Sequence, residues 1–123
     1  MISVGGNVGS VTVGAFNATN LFAGYSAPTD GTGTFSGAFS IGPITVKASA
    51  NGFVNSNVIA TSIKNVTLAS AVTANSGTKF GFVFQGSANG TFCGLTVKNP
   101  VHSYNRTLGG TQDLDADLWV VRV

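Results

Sequence analysis

The sequence is poor in charge and in the residues that build helices. Charged side chains make up 8% of the 123 residues, glutamate is absent, and six leucines and one methionine stand against many Val, Ile, Thr and Phe. Disordered chains are usually more charged and less apolar than this one, in which 43% of residues are hydrophobic, so we expect the chain to fold. Because β-branched and aromatic side chains fit a pleated surface, the composition predicts one all-β domain.

Other absences exclude several classes of protein. The six cations never stand side by side, so the net charge of +2 does not indicate a nucleic-acid partner. The longest aliphatic and aromatic run, Leu118 to Val121, is far too short for a membrane span, and the first residues carry no signal-peptide pattern. A single cysteine, Cys93, excludes an intrachain disulfide and a multi-cysteine metal site, and we interpret it as a small buried hydrophobic residue.

A short phrase occurs four times along the chain. It consists of an apolar residue, two free positions, an aliphatic residue, threonine and a second aliphatic residue. The four copies begin at Val8, Ile41, Ile63 and Phe92. They follow one another at 33-residue, 22-residue and 29-residue spacings, which predicts a 22-residue repeating unit with two inserted loops. We place the first insertion at Pro28–Thr34, where turn residues replace the apolar pattern, and the second near Ala74–Lys79.

Each unit also holds a second apolar piece, such as Leu21–Ala23 or Val58–Ala60. A unit this short cannot bury its own inward face, so it must stack on its neighbours. We therefore predict a parallel β-helix of about four coils over residues 1–98, closed by a C-terminal cap with a closing strand over residues 99–123, all in one domain. An antiparallel β-sandwich is the alternative, because short strands with Gly-rich turns also suit that fold.

The second apolar piece of the third unit is rich in phenylalanine. Its three rings alternate along the predicted strand and so share one face, at Phe80, Phe82 and Phe84. Inside a coil we expect these rings to stack as core on Phe22, Ile59 or Phe92, and an exposed aromatic stripe that binds sugars is the alternative.

The threonine of the phrase predicts a polar outer face. Side chains alternate along a strand, so the aliphatic residues beside each threonine point into the core and the threonine points outward. These outward residues are Thr12, Thr45, Thr67 and Thr96, with Lys47 and Lys98 nearby on the same strands. Such a flat hydroxyl surface suits a glycan ligand, whereas the plainer interpretation is that threonine fits any exposed strand position.

Three of the four carboxylates lie close together near the C-terminus, at Asp113, Asp115 and Asp117. Oxygen ligands at alternate positions are typical of the start of a calcium loop, but the glycine and the distal acid that complete an EF-hand are missing. The alternative is a solvated turn whose charges discourage edge pairing. We expect no cofactor.

The only histidine, His102, is the sole candidate for an imidazole base. Its neighbour Ser103 would point away from it in an extended segment, and no G-x-S-x-G motif selects another serine as a nucleophile. We therefore do not expect an enzyme, and a small hydrolase that uses His102 is kept as a third alternative.

Two copies of the phrase are followed by a segment of the form N-x-x-A. These segments are Asn20–Ala23 and Asn57–Ala60. Together the phrase and these segments resemble the β-strand repeats of large secreted bacterial surface proteins, in the style of autotransporter passengers and haemagglutinin-like adhesins. The resemblance covers Val8 to Val97 and implies a right-handed β-helix, an extracellular or cell-surface location, and a stalk or adhesive role. The 29-residue spacing and the Phe-rich third unit depart from the pattern. The region after Asn99 has no phrase, so we interpret it as a C-terminal cap and not as another coil.

These observations predict a structural or adhesive segment of a larger secreted or cell-surface protein, with Met1 placed before a fragment cut from a longer chain. Because the end coils of such a stack expose unpaired strand edges, we expect self-association into homo-oligomers through those ends. A glycan-binding module that uses the threonine face is the alternative function.

Overall fold

The computed structural model describes residues 2–26, 28–29, 32–104 and 110–123. Over these residues the fold is all-β, with one 3₁₀ turn at Gly86–Ala88 and no α-helix. Met1, Asp30 of the first insertion and residues 105–109 of the predicted cap lie outside the described residues. The strands are, in chain order, β1 (Ile2–Val4), β2 (Val11–Val13), β3 (Phe16–Asn17), β4 (Asn20–Ala23), β5 (Tyr25–Ser26), β6 (Thr34–Phe35), β7 (Ser40–Ile41), β8 (Ile44–Val46), β9 (Phe53–Val54), β10 (Asn57–Ala60), β11 (Ser62–Ile63), β12 (Val66–Leu68), β13 (Phe80–Phe84), β14 (Leu95–Lys98), β15 (Val101–Ser103), β16 (Gln112–Asp115) and β17 (Leu118–Arg122).

Two larger sheets contain most of the strands. Sheet I has the order β1-β4-β10-β13-β17-β16, and sheet II has the order β2-β8-β12-β14-β15. Neighbouring strands are parallel in both sheets, except that the last strand of each, β16 or β15, is antiparallel. Both sheets grow in the same direction along the sequence, because the chain runs from one sheet to the other and back. Antiparallel pairing, the basis of the alternative sandwich, is limited in the described residues to these closing strands and the β5–β6 hairpin.

The four phrases lie side by side in sheet II. Their threonines and flanking aliphatic residues align from β2 through β8 and β12 to β14. Ile44 aligns with Val66, which lies one 22-residue unit further along the chain, as the prediction requires. The first insertion lies where we predicted it, since the chain leaves the two larger sheets after Ala23 and rejoins sheet II at Ile44, after the β5–β6 hairpin and the short strand β7.

The second insertion lies in two places. Val54 aligns with Val72 and Val58 aligns with Phe82, so extra residues do precede β13, in the predicted region. More extra residues follow β13, where the 3₁₀ turn lengthens the path to Phe92, the partner of Ile63. The spacing of the phrases gives only the net length of such insertions, so it could not divide them between two corners.

The inner faces of the two sheets share one apolar core. The aliphatic phrase residues between Ile44 and Val97 that point into it are at most 2% exposed. Aromatic rings add to this core: Phe53 stacks on Phe82 with ring centroids 5.1 Å apart, and Phe92 meets Phe82 edge-on at 5.7 Å. Cys93 departs from our expectation. It is half-buried, because it lies in the corner between Phe92 and β14, where strand alternation does not apply.

Sheet I is buried on its outer face as well. A second cluster there contains Phe22, Ile59, Val83 and Val121, and the β5–β6 hairpin packs Tyr25 and Phe35 against it. The ring of Tyr25 lies 5.2 Å from that of Phe22 and 4.7 Å from that of Phe35. Predicted stacking of the β13 phenylalanines on Phe22 or Ile59 is therefore wrong, because those two residues point to the opposite side of the sheet. The strands on either side of the first insertion thus form a hairpin that covers part of the outer face of sheet I.

The two sheets end differently at their two edges. At the N-terminal edge, defined here as β1, Val8 and β2, each piece pairs on one side only within the described residues. At the C-terminal edge, defined here as β15 and β16, an antiparallel strand is added to each sheet. The segment from Leu118, predicted as the closing strand, instead pairs in parallel with β13 and is itself covered by β16.

Candidate functional site

The threonines of the four phrases form a continuous row across sheet II. Thr12 aligns with Thr45, Thr45 with Thr67 and Thr67 with Thr96, and the antiparallel β15 extends the row with Ser103. We call these five residues the hydroxyl column. Thr12, Thr96 and Ser103 are exposed, and the two central threonines are partly exposed. The predicted outward face therefore exists as a geometric surface, and Ser103 is a member that the phrase did not indicate.

Two exposed lysines flank the hydroxyl column. Lys47 follows Thr45 by two residues and Lys98 follows Thr96 by two residues, so each lies on the same side of its strand as the threonine. The third phrase has Ala69 at this position, whose amide bonds to the Val46 carbonyl at 2.9 Å. The two lysines are thus separated by an uncharged residue on the strand between them. The surface offers hydroxyl donors and acceptors together with two separate cations.

Each of the three aspartates near the C-terminus has its own partners. Asp113 accepts a bond from Lys79 Nζ at 2.9 Å. Asp117 Oδ2 accepts bonds from the backbone amides of Asn75 at 2.6 Å and Gly77 at 3.0 Å. Within the described ranges, no three His, Cys, Asp or Glu side chains converge as a metal site would require. The arrangement agrees with structural roles at the C-terminal edge and gives the calcium hypothesis no support.

Asp115 instead links His102 to Thr73. His102 Nε2 lies 3.2 Å from Asp115 Oδ2, and Thr73 Oγ1 donates to the same carboxylate oxygen at 3.0 Å. The carboxylate therefore stands between the alcohol and the imidazole. A nucleophile must instead hydrogen-bond to the base that removes its proton, as in a serine triad. The contact ties β15 to β16.

Asn20 and Asn57 form a hydrogen-bonded pair that we did not predict from the sequence. Asn57 Nδ2 donates to Asn20 Oδ1 at 3.0 Å, and Asn57 Oδ1 accepts the Gly81 amide at 3.2 Å. Both residues open the N-x-x-A segments, so that motif was the available signal. Asn57 is buried, and these bonds satisfy an amide that burial would otherwise destabilise. The pair joins three strands of sheet I, namely β4, β10 and β13.

Two shallow cavities lie away from the hydroxyl column. The larger, of about 270 Å³, is lined by Phe84, Phe92, Tyr104 and Arg122 among others. The rings beneath it are almost fully buried, and Tyr104 Oη donates to the Gly110 carbonyl at 2.9 Å. Burial raises the pKa of the Tyr104 phenol, and the nearby Arg122 charge partly opposes that rise. The cavity thus presents little apolar area to a ligand.

Comparison of the chain with protein-family models, with curated proteins and with solved structures gave no match. The part of the chain that the structure describes contains no helix able to cross a bilayer.

Proposed function

We propose that the chain is a parallel β-helical segment whose role is structural. One observation carries the proposal: the four phrases align strand on strand in sheet II, while the chain passes to sheet I and back between them and both sheets enclose one core. In a chain that winds in this way each turn packs only on its neighbouring turns, which is the defining property of a repeat scaffold.

The chemistry of the side chains supports a structural role. Among the described residues, the aspartates and the histidine are engaged with other parts of the protein, and none of them stands in a cleft with a free hydroxyl. An enzyme needs such groups directed at a substrate. In this chain the aspartates and the histidine instead connect segments near the C-terminal edge.

A duplicated repeat tests the proposal. Residues 44–65 span one unit, from Ile44 to the residue before its partner Val66, so a second copy inserted after Asn65 should add one turn. We expect this variant to unfold cooperatively and to lengthen by about 4.8 Å, the spacing of neighbouring strands, in small-angle scattering.

The matched control duplicates only residues 44–54, half of the unit. This insertion moves every following strand out of register, so we expect aggregation or loss of cooperative unfolding. If the full and the half duplication behave alike, the chain does not wind by a 22-residue unit and the proposal is wrong.

We extend the proposal to a larger secreted or cell-surface protein, in which the segment would be part of a stalk or an adhesive scaffold, on the basis of the repeat resemblance. The same resemblance supports a right-handed winding and an extracellular location.

A glycan-binding module is the second candidate, and the continuity of the hydroxyl column favours it. If the column binds sugars, wild-type protein should bind a subset of a glycan array, and Thr45→Trp and Thr96→Trp should both abolish that binding. Thr78→Trp, at an exposed threonine away from sheet II, is the matched control. A wild-type protein that binds no glycan favours the purely structural role.

A further inference from the structure

The outer face of sheet II differs from that of sheet I in its chemistry. The outer face of sheet I is apolar and lies partly under the β5–β6 hairpin. The outer face of sheet II carries the hydroxyl column and, two residues further along each of the four phrases, a second row of outward positions. This second row consists of Gly14, Lys47, Ala69 and Lys98, of which all but Ala69 are exposed. Sheet II therefore presents hydroxyl and ammonium groups to solvent.

The hydroxyl groups of this face are not used by the protein itself. Within the described residues, none of the five side chains of the hydroxyl column forms a hydrogen bond with another part of the chain. The face is also a side of the proposed β-helix and not one of its ends. Additional turns would lengthen it and would not cover it, because turns stack along the axis of such a helix.

The positive charge of this face is not neutralised by the protein either. In the part of the chain that the structure describes, Lys47, Lys64 and Lys98 are exposed and form no ion pair. Lys64 lies in the corner just before β12. The described aspartates are engaged elsewhere, with Lys79, with His102 and with backbone amides. An anionic group therefore has the charge that complements this face.

The spacing of the strands sets the shape of a suitable ligand. Neighbouring strands lie about 4.8 Å apart, so the five hydroxyl groups extend over about 19 Å in a straight row. Lys47 and Lys98 follow or end strands β8 and β14, which have β12 between them, so their backbones lie about 10 Å apart. A linear chain of sugars offers hydroxyl groups along its whole length, and acidic sugars place charged groups at regular intervals between them.

We propose that the outer face of sheet II binds a linear acidic polysaccharide that lies along the hydroxyl column. This inference rests on the glycan-binding candidate and specifies the class of glycan. The threonines bond to sugar hydroxyl groups, and Lys47 and Lys98 pair with carboxylate or sulfate groups of the chain. Val101 aligns with Lys98 and is 82% exposed, so it can contact the C–H face of a sugar ring.

Four polymers test the class of ligand. Polygalacturonate carries carboxylates, dextran sulfate carries sulfates, dextran is a neutral polysaccharide, and polyglutamate is an anion without sugar hydroxyl groups. We expect wild-type protein to bind at least one acidic polysaccharide about tenfold or more tightly than dextran and polyglutamate, as measured by biolayer interferometry. The binding should weaken as salt is added, because the ammonium groups are exposed. Comparison of the two acidic polysaccharides identifies the preferred acidic group.

Two double variants test the position of the charge. Lys47→Gln combined with Lys98→Gln removes the cations beside the hydroxyl column. The matched control combines Lys79→Gln with Arg122→Gln, which lie before and on strands of sheet I. Each pair removes two of the six cations, so both lower the net charge from +2 to 0. We expect the first pair to raise the dissociation constant about tenfold or more and the control to change it by less than about twofold.

A second set of variants tests the hydroxyl groups. Thr45→Val combined with Thr67→Val keeps the shape of both side chains and removes their hydroxyl groups. We expect this pair to weaken binding of the acidic polysaccharide about fivefold or more and to leave the binding of polyglutamate unchanged. Thr45→Ser combined with Thr67→Ser keeps the hydroxyl groups and should retain the binding. Near-ultraviolet circular dichroism reports whether each variant is folded.

Equal weakening by the two pairs of charge variants would overturn the inference, and so would equal affinity for polyglutamate and the acidic polysaccharides. Binding of neutral glycans alone refutes the acidic ligand and keeps the glycan-binding candidate. Absence of binding to every polymer also refutes the inference. None of these outcomes affects the duplication experiment, which reports on the winding of the chain, so failure of this inference is distinguishable from failure of the proposed structural role.

Discussion

The two edges of the molecule are built from the same phrase and end in opposite ways. Val13 and Val97 hold the same place in the first and last phrases, and they are linked through Val46 and Leu68 across sheet II. Val97 is fully buried, whereas Val13 is partly exposed. The pattern of residues is identical at both ends, so burial depends on what lies beside the strand.

The C-terminal edge is closed by residues and strands that lie outside the four phrases. Tyr104 is part of the main core, and Leu114 packs against that core. Strands β15 and β16 complete the sheets, and the pair between His102 and Asp115 joins them. The one large apolar side chain left exposed there among the described residues is Val101, at 82%.

The largest expected effect compares the same substitution at both edges. Val97→Ala removes two buried methyl groups and leaves a cavity, which should lower the free energy of unfolding by about 2–3 kcal/mol. Val13→Ala should lower it by less than about 1 kcal/mol, because that side chain is already partly in water. Urea unfolding, at a concentration where the protein is monomeric, measures both. Equal losses would show that the N-terminal edge is as well packed as the C-terminal edge.

The second prediction compares the loss of stability on removing Asp117 with that on removing Asp113. Asp117→Ala removes the acceptor for two backbone amides and should lower the free energy of unfolding by about 1–2 kcal/mol. Asp113→Ala breaks an ion pair whose carboxylate side chain is 65% exposed, so the loss should be under about 0.5 kcal/mol. Thermal unfolding distinguishes the two, and the reverse order would contradict the assignment of Asp117 as the structural acceptor.

Tyr104 gives the C-terminal edge a dependence on alkaline pH. Burial raises the pKa of its phenol above the ordinary value of 10.0, so the folded chain keeps the proton after the unfolded chain has lost it. The resulting stability is complete below pH 10.0 and is lost as pH rises through the pKa of the folded state. Tyr104→Phe should lose about 1 kcal/mol at neutral pH with the Gly110 bond, and its stability should fall less steeply above pH 10.0. Parallel slopes for both proteins would refute this origin.

The smallest effect concerns the contact between β15 and β16. The side chains of His102 and Asp115 are 28% and 42% exposed, so His102→Ala should change the free energy of unfolding by less than about 1 kcal/mol. The same variant should not alter the background hydrolysis of ester and glycoside substrates. Loss of a measurable hydrolytic activity in His102→Ala would revive the hydrolase alternative.

Local pattern was sufficient to predict much of sheet II. Alternation around each threonine identified the buried aliphatic residues of β8, β12 and β14, and the 22-residue spacing gave the alignment of Ile44 with Val66. It succeeded because each strand places alternate side chains on opposite faces whatever its neighbours are. The hydroxyl column follows from the same rule, although its binding of a glycan stays a prediction.

Other features depend on contacts between residues far apart in sequence. The phrase could not show that Ser103 would join the column, since Ser103 reaches it only by the antiparallel return of β15. Nor could spacing assign Asp113, Asp115 and Asp117 to separate partners, because those partners include Lys79 and Asn75 from another part of the chain. The outer burial of Phe22 likewise requires the hairpin to fold back on sheet I.

The sequence by itself determined that the chain is all-β and which side chains of each phrase point inward, since these follow from residue shape and the two-residue period of a strand. Only the tertiary structure decided that the antiparallel strands β15 and β16 close the C-terminal edge. Two phrases of the same pattern differ in burial because a strand is completed by its neighbours, and those neighbours come from distant segments of the chain.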